Sequence, residues 1–524
     1  MEAVEQADVI RRIWAKDHTV WKPDPTEITD RLGWLDITSF MLTQVNSIKT
    51  FANDVKAAGI RYVVLLGMGG SSLGPEVLRQ VIGSSPEYPE LIVLDSTVPA
   101  WIRSVSQAID PANSLFIVSS KSGGTIEPNT LYRYFRTLVE SAVRQEEAGS
   151  HFVAVTDTGS ALEALAERDG FRRTFINPSD IGGRYSVQSF FGLVPAAIAG
   201  MDLNRFIRRL EGMASQCRPE VTLRENPGAV LGATMAAMAA QGRDKLTLVA
   251  SPSISGFGLW AEQLLAESTG KEGKGVIPIA DEPLLGPEAY GDDRLFVHLR
   301  MIDDNNAESD AKLRLLEEAG HPVIHLDLSD AYDIAAEFFR WEFATAVAGS
   351  VLGIQPFDQT NVQQAKDMTD KVLSDYRSSG VKPELEEFGS LREMLSQAKP
   401  GDYLAIMAYV EQTYETDAAF YALRAAIMQR YRITTTLGYG PRFLHSTGQL
   451  HKGGPDTGLF MQITAPREED IAIPGFDFSF GLLADAQALG DLAALVAQGR
   501  RAVRAGGSLD VVATIRRLVE TMAN

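Results

Sequence analysis

Two short stretches of this chain gather hydroxyl-bearing side chains and glycines between an apolar run and a helix-forming one. Leu65 to Pro75 reads LLGMGGSSLGP, and Ser114 to Pro128 reads SLFIVSSKSGGTIEP. In the second, LFIVSS is apolar and β-branched, the pattern of a buried strand. Glu127 and Pro128 suit a first helical turn. The intervening loop carries Ser120, Lys121, Ser122 and Thr125. Hydroxyls and helix-start amides there point their donors at one place, so the chemistry it suits is anion binding. In the first stretch, Gly67 and Gly69 begin a dinucleotide-type glycine pattern, and Asp95 ends a later strand where a ribose-binding acid could stand. Ser72 occupies the third glycine position, however, and Gly74 comes late. The fingerprint is imperfect, and two serines at a helix start suit one phosphate or sugar hydroxyls better. Read alone, this stretch fits a tight strand-to-helix turn equally well. The second hydroxyl-rich loop tips the balance to a ligand, because in open parallel sheets such loops gather at the carboxyl ends of the strands.

The elements that must position these loops alternate. RYVVLLG, ELIVLDS, SLFIVSS and HFVAVTD read as strands separated by helical patterns. A second series starts near residue 228, with KLTLVAS, GVIPIA, RLFVHLR and PVIHLDL as strands. Such alternation predicts an α/β fold of two doubly wound parallel sheets in three αβα layers, followed by a C-terminal α/β region. The expected division is an N-terminal helical arm over residues 1–45, a first domain over 46–225, a second over 226–395 and the C-terminal region over 396–524. A length of 524 residues demands more than one domain. The net charge of −19 argues against nucleic acid as a general partner. It leaves room for a small anion in a local pocket. One cysteine, Cys217, cannot form an intramolecular disulfide and suits a reducing cytoplasm. The charged start MEAVEQADVIRRIWAKD is not expected to be a signal peptide, and no uninterrupted apolar run of membrane-spanning length is found. His321 and His325 are four apart, but Pro322 and the β-branched run between them read as strand, so no metal is expected.

With these loops in view, the chain resembles the glucose-6-phosphate isomerase family. GMGGSSLGP and SKSGGTIEP look like loops of its first sugar isomerase (SIS) domain. IGGRYS (Ile181 to Ser186), AESTGKEGKG (Ala266 to Gly275) and PFDQTNVQQAK (Pro356 to Lys366) resemble three further segments of the family, in the same order. HSTGQLHKGGP and RLGWLDI are similar to the isomerase half of bifunctional transaldolase–isomerases. The resemblance implies two SIS domains and an aldose–ketose isomerase interconverting glucose 6-phosphate and fructose 6-phosphate through an enediolate. It implies no cofactor, a place in glycolysis and gluconeogenesis, and a cytoplasmic homodimer. An isomerase of another 6-substituted hexose, such as mannose 6-phosphate or a sulfonated sugar, is the alternative within the enzyme class. A non-catalytic sugar-phosphate-binding SIS protein is the alternative outside it.

The reaction needs a general base, a cation for the developing oxyanion, a holder for the distant anion and a group that opens the ring. The resemblance gives proton transfer to Glu267, enediolate stabilisation to Arg184, a place near the ring oxygen to Lys366 and anion contact to Gln359. Gln359 and Lys366 are seven residues apart, two turns if the segment is helical. Ser120, Ser122 and Thr125, with Lys121, are the expected anion ligands, and Gly70 and Ser71 the sugar contacts. Gly183 and Gln263 complete the expected substrate set. The chain departs from the family at Gly123 and Gly124, where threonines are common, and at Thr269, where an asparagine is. The family's histidine segment beyond the glutamate has no clear counterpart. His298 falls in an apparent strand, which leaves His445 and His451, and His451 is assigned to ring opening.

Overall fold

The computed structural model describes residues 2–467 and 469–523. Three all-parallel sheets carry the chain. The first contains β1 (Tyr62–Gly67), β2 (Glu90–Leu94), β3 (Ser114–Ser119), β4 (Phe152–Asp157) and β5 (Arg173–Asn177), in the order β2-β1-β3-β4-β5. The second contains β6 (Lys245–Ala250), β7 (Ile277–Ile279), β8 (Arg294–Met301) and β9 (Val323–Leu328), in the order β7-β6-β8-β9. The third contains β10 (Tyr403–Tyr409), β11 (Thr434–Tyr439), β12 (Gly458–Thr464) and β13 (Arg501–Ala505), in the order β11-β10-β12-β13. In each, the chain goes first to one side of its opening strand and then crosses to the other. Each sheet therefore has a switch point between its first and third strands, where the loops part and leave a crevice. β1 and β3 are in register from Tyr62 opposite Ser114 to Gly67 opposite Ser119. Both hydroxyl-rich loops thus leave adjacent strands at the same height.

β1 and β3 are apolar and buried on both faces, as strands under two helical layers must be. One apolar core runs without a break from the helix Ile37–Ala57 beneath the first sheet to the helices Phe257–Thr269 and Ile334–Leu352 of the second. Trp260 and Phe338 meet edge to face in it at 4.7 Å. Fully burying side chains of this size contributes about 1.5–3 kcal/mol each, so the two units are held as one body by packing.

The C-terminal region, expected as an α/β appendage, is a third doubly wound unit with a sheet as regular as the second. The strands β5, β11 and β13 carry too many polar or interrupted positions to stand out as apolar runs. The expected boundary at residue 45 falls inside the helix Ile37–Ala57. The helix Phe480–Ala497 is long and apolar enough to cross a membrane by length and composition, but 72% of it is buried inside the protein. Its buried Gln487 donates to Glu127, in the first turn of the helix Ile126–Ala142, and its buried Asp491 accepts from Lys452 of the helix Gly448–Gly453.

Candidate active site

The switch point of the first sheet opens into a cavity of about 470 Å³. Ser120, Ser122 and Thr125 line one end. Ser120 Oγ lies 3.3 Å from Thr125 Oγ1 and accepts the Gly123 amide at 3.1 Å, while Ser122 Oγ accepts the Gly124 amide at 3.2 Å. Gly123 has φ +68°, and a Cβ there would meet the Leu162 amide nitrogen at 2.3 Å. This position therefore needs glycine. The cradle is seated against the start of a second helix, capped by Ser160.

Lys121 lines the cavity too, but its ammonium is engaged. It meets Asp157 at 2.7 Å and donates to the carbonyls of Ser179 at 2.8 Å and Ile181 at 3.0 Å. Lys121, expected among the anion ligands, therefore has its charge paired with Asp157 and its donors turned to these carbonyls.

The middle of the cavity is built where two loops touch backbone to backbone. A Cβ on Gly70 would lie 1.8 Å from the Gly183 carbonyl oxygen. That contact brings Ser71 and Arg184 to one wall. Arg184, 4% exposed, donates Nε to Ser268 Oγ at 2.9 Å and Nη2 to the carbonyls of Pro356 at 2.8 Å and Asp358 at 2.7 Å. Its Nη1 reaches Glu267 Oε2 at 3.3 Å. Behind it, Tyr185 stacks on Trp34 at 5.2 Å and packs against Phe357 at 5.3 Å. The N-terminal arm thus backs the guanidinium with aromatic rings.

Glu267 lies in the last turn of the helix Phe257–Thr269 and is 5% exposed. Gln263, one turn earlier, donates Nε2 to Glu267 Oε2 at 3.1 Å and to the His445 carbonyl at 2.9 Å. Burial raises the Glu267 carboxyl above its ordinary range, against the lowering pull of Arg184, His445 and Gln263. Such a carboxyl takes and returns a proton more readily than a solvated one.

Gln359 and Lys366 both line the cavity. The expected helical spacing between them is not what brings them together. The helix begins only at Gln363, and Gln359 sits in the loop before it. That loop is held by Lys271, whose ammonium donates to the carbonyls of Gln355 at 2.7 Å and Asp358 at 2.6 Å and pairs with the Asp358 carboxylate. Burial and the neighbouring Arg184 bring the Lys271 pKa down to about 7.

His451 is not in the cavity. It is buried in the helix Gly448–Gly453 between the rings of Phe443 and Phe460, at 6.0 and 5.1 Å, and its Nδ1 has no hydrogen-bond partner among the described residues. Burial drives its pKa far down. Its assignment to ring opening is corrected for that reason. His445 lines the cavity instead, with Nε2 2.9 Å from Glu127 Oε1, which also accepts Gln487 Nε2 at 2.7 Å. Burial works to raise the Glu127 carboxyl, but His445 and, more weakly, Lys366 outweigh it and keep the carboxylate ionised. His298 is a packed strand histidine, its pKa pushed down to about 4 by burial. Asp95 binds no ribose: Arg442 engages it through two 2.8 Å hydrogen bonds, and Ser72 donates to it at 3.1 Å. Glu127, Asp157 and Lys271 escaped the sequence reading because nothing local marks an acid at a helix start or a lysine after a turn as belonging to a site.

The family model for phosphoglucose isomerase matches residues 37–271, a span that includes both hydroxyl-rich loops, Arg184 and Glu267. Over that span the chain is similar to the phosphoglucose isomerase family. It is 28% identical to a glucose-6-phosphate isomerase of Parabacteroides distasonis over 64% of this chain and 86% of that one. It is also 28% identical to a glucose-6-phosphate isomerase of Staphylococcus saprophyticus over 70% of this chain and 91% of the relative. Its fold is similar to that of a hypothetical protein from Thermus thermophilus, with a TM-score of 0.60 and 23% identity over 72% of this chain and 97% of the other. A glucose-6-phosphate isomerase from Chlamydia trachomatis shares the fold at a TM-score of 0.54 and 18% identity, covering 70% and 78% of the two chains. The family match stops at Lys271, so Gln359, Lys366 and His445 reach the cavity from outside it.

Proposed function

We propose that this protein interconverts glucose 6-phosphate and fructose 6-phosphate, with the phosphate in the Ser120–Thr125 cradle and the reacting carbons beside Glu267 and Arg184. The observation that carries this reading is the buried Glu267–Arg184 pair, 3.3 Å apart, in one cavity with the hydroxyl-rich loops of the first sheet. Neutral donors and helix-start amides suit a phosphate dianion and let it exchange. Gly70, Ser71 and Gly183 bound the sugar, and Gln359 contacts its anionic end.

His445, oriented by Glu127, moves a proton at the ring oxygen and O1 of the cyclic sugar, with Lys366 close by, and the C1–O5 bond breaks. Glu267 takes the proton from C2. The C2–H electron pair becomes the C1=C2 bond of the enediolate, whose negative oxygen faces Arg184. Glu267 returns the proton to C1, the O2 proton passes to the negative O1 as the C2 carbonyl forms, and the ketose is complete with C1 as a CH2OH carbon. No electrons enter or leave. Preorganised cations at a developing oxyanion are worth about 100- to 1,000-fold in rate, and a positioned base about 100- to 10,000-fold.

On this reading the enzyme serves glycolysis and gluconeogenesis in the cytoplasm, as a homodimer without nucleic-acid or membrane partners. A coupled assay tests it: fructose 6-phosphate forms from glucose 6-phosphate, and a folded protein that forms none rejects the reading. Comparing kcat/KM for glucose 6-phosphate, mannose 6-phosphate and a 6-sulfonated hexose tests the substrate.

A further inference from the structure

A second cavity of about 320 Å³ lies on the other side of the segment that carries His445. It is enclosed by the helix Phe257–Thr269, the chain after β7, the start of the helix Tyr414–Tyr431, the end of β11 and the segment 442–447. Two consecutive residues of the first helix face two different cavities: Gln263 the active site, Glu262 this one.

We propose that this cavity binds a small protonated amine bearing further hydrogen-bonding groups, with the carboxyl groups of Glu262, Asp281 and Asp417 as its charge partners. Glu262 is 8% exposed and accepts no hydrogen bond from any described side chain; the Ala280 amide is its hydrogen-bonding neighbour. A buried carboxyl so poorly partnered is costly unless something supplies donors. The cations nearby do not supply them. Arg442 is spent on Asp95 and Gln412. Arg424 gives its donors to the carbonyls of Ala280, Asp281 and Thr435 and to Thr435 Oγ1, at 2.8 to 3.1 Å. Three carboxyl groups therefore face one guanidinium that has no carboxylate partner. Asp281 lines the cavity from its solvent side. Asp417 accepts Tyr439 OH at 2.6 Å and Gln412 Nε2 at 3.2 Å. Ser255, Ser446 and Thr447 line the remainder and offer partners to hydroxyl or second amino groups of a ligand. Burial, with Asp281 adding to it, pushes the Glu262 pKa up to about 8, so before an amine binds the carboxyl holds a proton where the ammonium would sit. Binding exchanges that proton for N–H donors, and the proton leaves to water. A primary amine fits these acceptors, since its three donors can be shared among separate carboxylates.

The test is isothermal titration of the full chain with 2-aminoethanol and with putrescine, in an amine-free buffer. Binding is expected at one amine per chain, unchanged when glucose 6-phosphate saturates the first cavity. Affinity is expected to fall about tenfold or more in Glu262→Gln and in Asp281→Asn. Asp281 is exposed, so its variant remains informative if Glu262→Gln fails to fold, and thermal unfolding checks both. No heat up to about 10 mM amine, equal affinity in a folded variant, or displacement by the sugar phosphate would each overturn the proposal. So would binding of magnesium with neither amine detected. Heat of binding is read without turnover, so a failed isomerase assay leaves this result intact.

Discussion

The first and second sheets have the same strand order around their opening strands, yet only the first has a usable switch point. In the first, Gly67–Ser72 and Ser120–Thr125 part into a cavity of about 470 Å³. In the second, the corresponding loops after β6 and β8 close on each other. Ser251 Oγ donates to Asn306 Oδ1 at 2.6 Å and accepts the Met301 amide at 2.8 Å, and Asn306 Nδ2 donates to the Met301 carbonyl at 2.7 Å. Serine is present at both crevices. At one, Ser120 and Ser122 accept amides of their own loop and line an open cavity; at the other, Ser251 ties the two loops to each other. Topology supplies the crevice, and loop chemistry decides whether it binds. The second unit contributes instead through the far end of the helix Phe257–Thr269, which carries Glu267 into the first unit's cavity.

The largest expected effect breaks the contribution of the second unit. Glu267→Gln should lower kcat by about 1,000-fold or more while leaving glucose 6-phosphate binding within a few fold, measured by steady-state kinetics and by titration. A wild-type kcat in this variant would remove Glu267 from the chemistry. Arg184→Met should cost about 100- to 1,000-fold in kcat, chiefly without a matching rise in KM. Next comes the histidine pair. His445→Ala should slow turnover of the cyclic sugar by about 100-fold, whereas His451→Ala should lower the unfolding temperature and leave turnover per folded molecule unchanged.

The comparison of serines sharpens further with Ser120→Ala and Ser251→Ala. The first should raise KM several-fold with little change in stability. The second should cost about 1–3 kcal/mol in urea unfolding, because it strands the Asn306 and Met301 groups, and leave KM untouched. The smallest effects are those of pH. Because Glu267 is held above its ordinary value, the acid limb of kcat should lie above about 4.5, with activity falling as pH drops through it. Glu262, with a folded pKa of about 8, binds more protons folded than unfolded between about 4.5 and 8. Its contribution to stability is fully present below that window and is lost as pH rises through it. Glu262→Gln should therefore gain in unfolding temperature relative to wild type as pH goes from 5 to about 8.

The two loops of the first sheet were legible because each is a local pattern: apolar strand, glycine turn, hydroxyls, helix start. Glu267 and Arg184 were legible only through resemblance, since an isolated glutamate or arginine carries no mark of its surroundings. His445 could not be told from His451 by sequence. They are six residues apart in the same glycine-rich segment, and what separates them is the ring of Phe460 on one side and the carboxylate of Glu127 on the other. The link between Glu127 and His445 spans 318 residues, beyond any periodicity. The pair Gln359 and Lys366 shows the opposite failure: the site unites them, but through a loop tied down by Lys271 rather than along a helix face.

Arg442 grips Asp95 at the end of the first sheet, and three residues later His445 meets Glu127. A growing polypeptide emerging from the ribosome can complete its first two sheets and still lack this partner. Glu127 then remains a lone acid until nearly the whole molecule has been made. The Glu127–His445 contact is, in that sense, withheld until synthesis has all but ended.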